Sequence, residues 1–286
     1  MTTLSAKVIK HYQDKTFRTL NTLKLRSPQE AVKFVNERGF IFFWPVKGIT
    51  MPSLWCGVAG DRPVADGHDD PGHISWGWKD QMLDKRVWYY GRILRKRNTI
   101  ISLQTAPYFY ALSPNFGDPE VEISDQYREG LIPLEVKLIF EALLEKGPLD
   151  SLALRREAHL SGKNSNTPFN RALDILQRDF KVMPTAIAEV GTWKYAFVYD
   201  LTHRYHPELL EQSRFISENQ ARDHLAGCYF NSVGAASEKQ VQTLFGWTQQ
   251  ETQKTIIRLQ ETNLLSAPTE MEDAPGQIVC LNSLLK

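Results

Sequence analysis

Two stretches of the chain gather side chains whose types and spacing could do chemistry. The first is Asp61-Arg62-Pro63-Val64-Ala65-Asp66-Gly67-His68-Asp69-Asp70-Pro71-Gly72-His73, with four carboxylates and two imidazoles. These are ligand types for hard cations and zinc, but the spacing matches no ligand pattern, and Asp and Gly also build turns for backbone reasons. The stretch reads as a polar loop in which Asp69, Asp70 and His68 are weak catalytic candidates, alongside Gln104 and Lys79. No metal and no cofactor are expected. The second stretch is Lys85-Arg86-Val87-Trp88-Tyr89-Tyr90-Gly91-Arg92-Ile93-Leu94-Arg95-Lys96-Arg97. Read as part of a helix over residues 79–97, it places Lys85, Arg92 and Lys96 within about 40° of one another on a 3.6-residue wheel, with Arg95 beside them. Such cations, with Arg86 and Arg97, can track a phosphate backbone. Trp88 or Trp44 could stack on an exposed base or wedge between base steps. The competing reading is a solvated helix face whose aromatics belong to the core.

Charge favours the first of these readings. Residues 1–110 hold 17 Lys and Arg against 9 Asp and Glu, whereas residues 111–286 hold 17 against 24. A polyanion would therefore meet the first half.

The elements that must position these residues announce themselves by helix-start signals. Ser27-Pro28-Gln29-Glu30 offers an N-cap, a proline at the first helical position and a capping-box glutamate. Ser217 with Gln220, Ser237 with Gln240, and Thr248 with Glu251 repeat the box, and Thr167-Pro168 gives another start. After Pro133, Val136, Ile139, Phe140 and Leu143 form one apolar helix face. A short helix over residues 151–158, the Thr167-capped helix and a hairpin follow. In the hairpin's second arm Trp193, Tyr195, Phe197 and Tyr199 alternate with Lys194, Ala196 and Val198, the mark of a half-buried strand. Three helices and a hairpin make a winged helix-turn-helix. The order recurs over residues 217–281. The expected fold is mainly α with small β wings (α+β), built from tandem winged helix-turn-helix units. Their divisions fall at 1–110 (basic and winged-helix-like), 111–205 and 206–286.

In this motif the third helix usually reads the major groove. Arg171, Gln177, Arg178 and the wing's Lys194 are the candidates in the middle unit, opposed by Asp174 and Asp179. The last unit offers Gln250, Gln253, Lys254 and Arg258. Its wing, with Glu270, Glu272 and Asp273, repels phosphate and reads better as scaffold or protein interface. His203 and His206 read as a satisfied surface pair on a connector, and His11, His159 and His224 as isolated. Three unclustered cysteines exclude a disulfide framework and fit a reducing cytoplasm. The longest apolar run, Gly39 to Val46, cannot span a bilayer, and no membrane partner is expected. No phosphate loop, nucleophile elbow or zinc-protease helix is present.

In this order of elements, and in Trp76-Gly77-Trp78-Lys79-Asp80 with the acidic loop before it, the chain resembles the AlkZ/YcaQ-like interstrand-crosslink DNA glycosylases, specifically an AlkZ-related subgroup. The resemblance implies tandem winged helices around duplex DNA. It also implies a catalytic strand of the form Gly, two apolar residues, Gln, one apolar residue, then Gln or Asp. Here that strand is Gly39-Phe40-Ile41-Phe42-Phe43-Trp44, so Phe42 and Trp44 occupy the polar positions. Neither can orient a water or stabilise an oxocarbenium ion, and no catalytic residue carries over. The expected protein is a cytoplasmic binder of double-stranded DNA, intact or damaged, using the basic first half. Three alternatives stand beside it: a base-excision hydrolase with a rewired carboxylate site, a transcription regulator reading an operator through Arg171 and Gln177, and an interaction protein that binds no DNA.

Overall fold

The structure is a computed structural model that describes residues 3–115, 118–272 and 276–285. The chain begins with β1 (Thr3–Leu4) and α1 (Ala6–Thr16). Next come α2 (Pro28–Arg38), β2 (Phe40–Phe42), α3 (Leu54–Ala59), α4 (Ile74–Leu83), β3 (Trp88–Arg92), β4 (Asn98–Ser102) and α5 (Ala106–Ala111). The middle of the chain forms α6 (Pro119–Arg128), α7 (Leu134–Lys146), β5 (Leu149–Asp150), α8 (Ser151–Glu157), α9 (Asn166–Arg178), β6 (Val182–Ala188) and β7 (Ala196–Leu201). Two short helices, α10 (Thr202–Tyr205) and α11 (Glu208–Ser213), lead to α12 (Glu218–Val233), β8 (Ala235–Ala236), α13 (Glu238–Phe245), α14 (Gln249–Glu261), β9 (Thr269–Met271) and β10 (Gln277–Cys280).

One pattern therefore occurs three times: helix, short strand, two helices, two-stranded wing. It runs from α2 to β4, from α7 to β7 and from α12 to β10. The sheets agree, because in each the short strand pairs with the last strand and the last strand pairs with the middle one, giving β2-β4-β3, β5-β7-β6 and β8-β10-β9. The fold is α+β with tandem winged-helix units. β1 adds to the outer edge of the third sheet, parallel to β9, and α1 lies on α12, where Tyr12 and Thr16 donate to the carbonyls of Asn231 and Ser232.

Local chemistry sets most of the helix starts. Ser217, Ser237 and Thr248 each form a complete capping box with Gln220, Gln240 and Glu251. Ser27 caps α2, but Glu30 accepts from the Arg26 amide, so that box is half made. Thr167 is not a cap: α9 starts at Asn166 after Ser165, and Pro168 sits within the first turn, where its missing N–H costs nothing.

The helix expected over residues 79–97 is instead the end of α4, a turn, and the hairpin β3–β4. β3 is buried on both sides. Trp88 and Tyr90 join the core with Phe34, Val35, Ile41 and Ile100, whereas Tyr89 faces a second core with Phe109 and Phe180. A strand buried on both faces shows no polar alternation, which is why its flanking charges read as helical. The aromatic segment 107–110 lies in α5.

Candidate functional site

The first wing turns at Leu94–Arg97, where the Arg97 amide donates to the Leu94 carbonyl at 2.9 Å. The two central residues, Arg95 and Lys96, have φ of 53° and 56°, the positive pair that a type I′ turn uses and that Asn-Gly normally fills. Placing two cations there costs about 1 kcal/mol per residue in backbone strain. Their side chains are exposed, as is Arg97.

This turn walls a cleft of ≈ 460 Å³ lined by Phe43, Trp44, Pro45, Val46, Lys47, Arg92, Lys96, Arg97 and Asn98. Its floor is the end of β2 and the segment that follows. Phe42 is buried, whereas Trp44 is half-buried and contributes its ring to the lining. Trp44 packs against Phe43 and Trp76 at centroid distances of 5.2 and 5.6 Å, and its Nε1 is buried without a hydrogen-bond partner. The lining offers cations, one indole and one amide, Asn98. None of its residues is a carboxylate.

The remaining basic candidates are distributed differently. Arg92 is tied down: its Nη1 donates to Asp174 Oδ1 at 2.6 Å, and its backbone N–H donates to Gln177 Oε1 at 3.2 Å. Gln177 is itself buried and donates to the Leu173 carbonyl, so it cannot read a base edge. Arg178 forks onto Asp179 through Nε and Nη2. Arg171, Lys194 and Lys85 are exposed, Lys85 lying beside Asp84. Arg86 stacks on Tyr205 at 4.5 Å. Trp88 is 2% exposed and is a core residue, not a stacking group. In the last unit Arg258 is paired in a fork with Asp223, and Gln253 donates to Glu238. Asp273 lies outside the described residues.

The acidic loop is used structurally. Asp70 accepts from Arg62 and from the Gly72 amide, which caps a short turn at Pro71–His73. His73 Nε2 contacts the Ala65 carbonyl at 2.9 Å. Asp69, His68 and Gln104 are exposed and do not line the cleft. Among the described residues no group of three His, Cys, Asp or Glu side chains could hold a metal ion.

Lys79 is the residue whose setting the sequence hid. It is 2% exposed and boxed by the rings of Phe43, Trp76, Tyr90, Tyr195 and Phe197, with Nζ 4.5–5.8 Å from their centroids. Its Nζ donates to Tyr195 Oη at 2.9 Å and pairs with Asp80. Trp76 Nε1 donates to the same oxygen at 2.9 Å, and the Tyr195 hydroxyl donates to Asp80 Oδ1 at 3.0 Å. Burial pulls the ammonium below the usual lysine range, against the pull of Asp80. Tyr195 and Phe197 belong to the second wing. The second wing therefore covers α4, the third helix of the first unit, while α9, the third helix of the second unit, docks through Asp174 and Gln177 on the first wing. The two units clasp each other.

Two histidine readings also change. His206 is fully buried, contacting Glu208 through Nδ1 at 2.7 Å, with Nε2 unpartnered. It is not a surface residue. His224 is stacked on Tyr108 at 3.7 Å and lies 3.6 Å from Cys228 Sγ. Burial pushes that thiol up to about 11, which makes the pair packing rather than a nucleophile.

No helix among the described residues is long and apolar enough to cross a membrane. No curated protein matches the chain. The solved structure of a Streptomyces sahachiroi DNA glycosylase, AlkZ, superposes with a TM-score of 0.59 at 12% identity, covering 98% of this chain and 71% of that one. At that identity the likeness is one of fold. The family model described as AlkZ related matches residues 25–246, from the start of the first unit into the third, and the chain belongs to the AlkZ-related family.

Proposed function

We propose that the protein binds duplex DNA, intact or damaged, at the first wing and its cleft, without hydrolysing the glycosidic bond. The carrying observation is the cleft itself. Lys47, Lys96 and Arg97 line the cleft together with an indole, Arg95 stands exposed in the turn beside them, and none of the lining residues is a carboxylate that could act as acid, base or nucleophile. The cations serve the phosphates, and Trp44 offers a face for a base. Arg171 and Lys194 are exposed cations of the second unit, whereas Gln177, Arg178 and Trp88 are spent inside the fold. The clasp argues against operator reading, because α4 and α9 each present one face to a neighbouring wing rather than to a groove. The family's relation to a DNA glycosylase supports a role connected with DNA repair.

Duplex affinity against salt tests this. Three or four phosphate contacts give a slope of about −3 in log K against log salt, and Lys96→Glu and Arg97→Glu each shrink it by about one. A flat line for the wild type overturns the proposal. The hydrolase reading makes its own claim: alkylated or crosslinked DNA would acquire abasic sites that vanish in Asn98→Ala, Asp69→Asn or Asp70→Asn. We expect none to form.

A further inference from the structure

We infer that Trp193, at the tip of the second wing, is a second base-contacting group that stacks on an unstacked base at a defect in the duplex held by the first wing. This rests on the DNA-binding reading above. Trp193 is 88% exposed, which leaves a large apolar ring in water with nothing in the fold to recover the cost.

The tip that carries it is anchored through Tyr195 and closed by its own turn. On one side Tyr195, two residues on, is held by Trp76, Lys79 and Asp80. On the other, Gly191 lies beside the exposed Leu152 side chain of α8. Gly191 has φ of 77° and Lys194 of 48°, and the Lys194 amide closes the turn on the Gly191 carbonyl at 3.2 Å. A ring held out on an anchored turn loses little freedom on stacking.

The tip is also linked to the cleft. Ring contacts run from Trp44 in the cleft to Trp76 at 5.6 Å and from Trp76 to Tyr195 at 5.9 Å. Trp193, two residues from Tyr195, therefore lies within about 25 Å of Trp44 by chain geometry. That distance is the length of about eight base pairs of duplex. Lys194 supplies a cation beside the ring for the adjoining phosphate. An aromatic face tolerates any base, so the site selects loss of stacking rather than sequence.

The experiment compares matched duplex with duplex carrying one mismatch flanked by 2-aminopurine, for the wild type, Trp193→Ala, Trp193→Phe and Lys96→Glu. The wild type should prefer the mismatched duplex by about tenfold, within the range of base–aromatic stacking, and raise the 2-aminopurine fluorescence. Trp193→Ala should lose that preference and signal while keeping the wild-type salt slope on matched duplex, and Trp193→Phe should keep most of both. Lys96→Glu should weaken both duplexes alike. If Trp193→Ala retains the preference, or the wild type binds duplex without one, the inference is overturned and DNA binding by the cleft still stands. A wild type that binds neither duplex ends the DNA reading and this inference with it.

Discussion

Asp174 is the carboxylate that most directly opposes phosphate binding, because it neutralises Arg92 at the edge of the cleft. The pair is partly exposed, so its loss costs about 1 kcal/mol or less. Asp174→Asn should therefore tighten duplex binding and steepen the salt slope by about one, as Arg92 becomes available; an unchanged slope would show that Arg92 does not reach the phosphates. Tyr195 sets the opposite balance. Tyr195→Phe strips the shared oxygen from Trp76 Nε1 and Lys79 Nζ and leaves Lys79 with Asp80 alone, at a cost of about 1–2 kcal/mol for the lost hydrogen bonds. A urea midpoint shifted at constant m would register it. The buried histidines predict an acid limb. Burial holds His203, His206 and His224 below the ordinary histidine value, so below a pH of about 6.5 the unfolded chain binds protons that the folded chain refuses. Stability is full above that value and drains as the pH falls toward the folded values. Tm measured from pH 8 to 5.5 should decline at the acid end, and a flat profile would contradict the assignment.

At the scale of elements, the first wing trades stability for charge. Replacing Arg95 by Asn and Lys96 by Gly gives the turn residues suited to positive φ. The change should raise stability by about 1 kcal/mol or more through relieved strain, while costing affinity for duplex and flattening its salt dependence. Thermal unfolding and anisotropy on the same variant check both halves. This wing was also the element least legible in the sequence. The capping boxes at Ser217, Ser237 and Thr248 are readable because each is settled within four residues, and the last unit follows from them, whereas the middle unit follows from the apolar face of Val136, Ile139, Phe140 and Leu143 and from the alternation in its wing. The hairpin β3–β4 is not readable, because its aromatic strand is buried on two faces by partners far along the chain, which erases the period-2 signal. The basic run reads as a helix face in the sequence, whereas Arg95, Lys96 and Arg97 lie in the turn between β3 and β4. The Lys79 box had no local signal: Trp76, Lys79 and Asp80 stand close together, but Tyr195 and Phe197 come from more than a hundred residues later.

For the whole molecule, the three repeats are not equivalent. The first wing tip is cationic, the second bears a bare indole and a lysine, and the third carries Glu270 and Glu272 and is extended by β1. Removing β1 and α1 should uncover α12 and the edge of β9, and faster amide exchange there should appear while the clasped pair is unaffected.

The reciprocal clasp has a consequence for how the chain is made. When α4 and β3 leave the ribosome, the segments that will cover Trp76, Lys79 and Arg92 have not yet been synthesised. The nascent first third must wait with those groups open to solvent and to other chains. A fragment ending after α5 would keep that state permanently, and it should aggregate unless residues 118–205 are supplied alongside it.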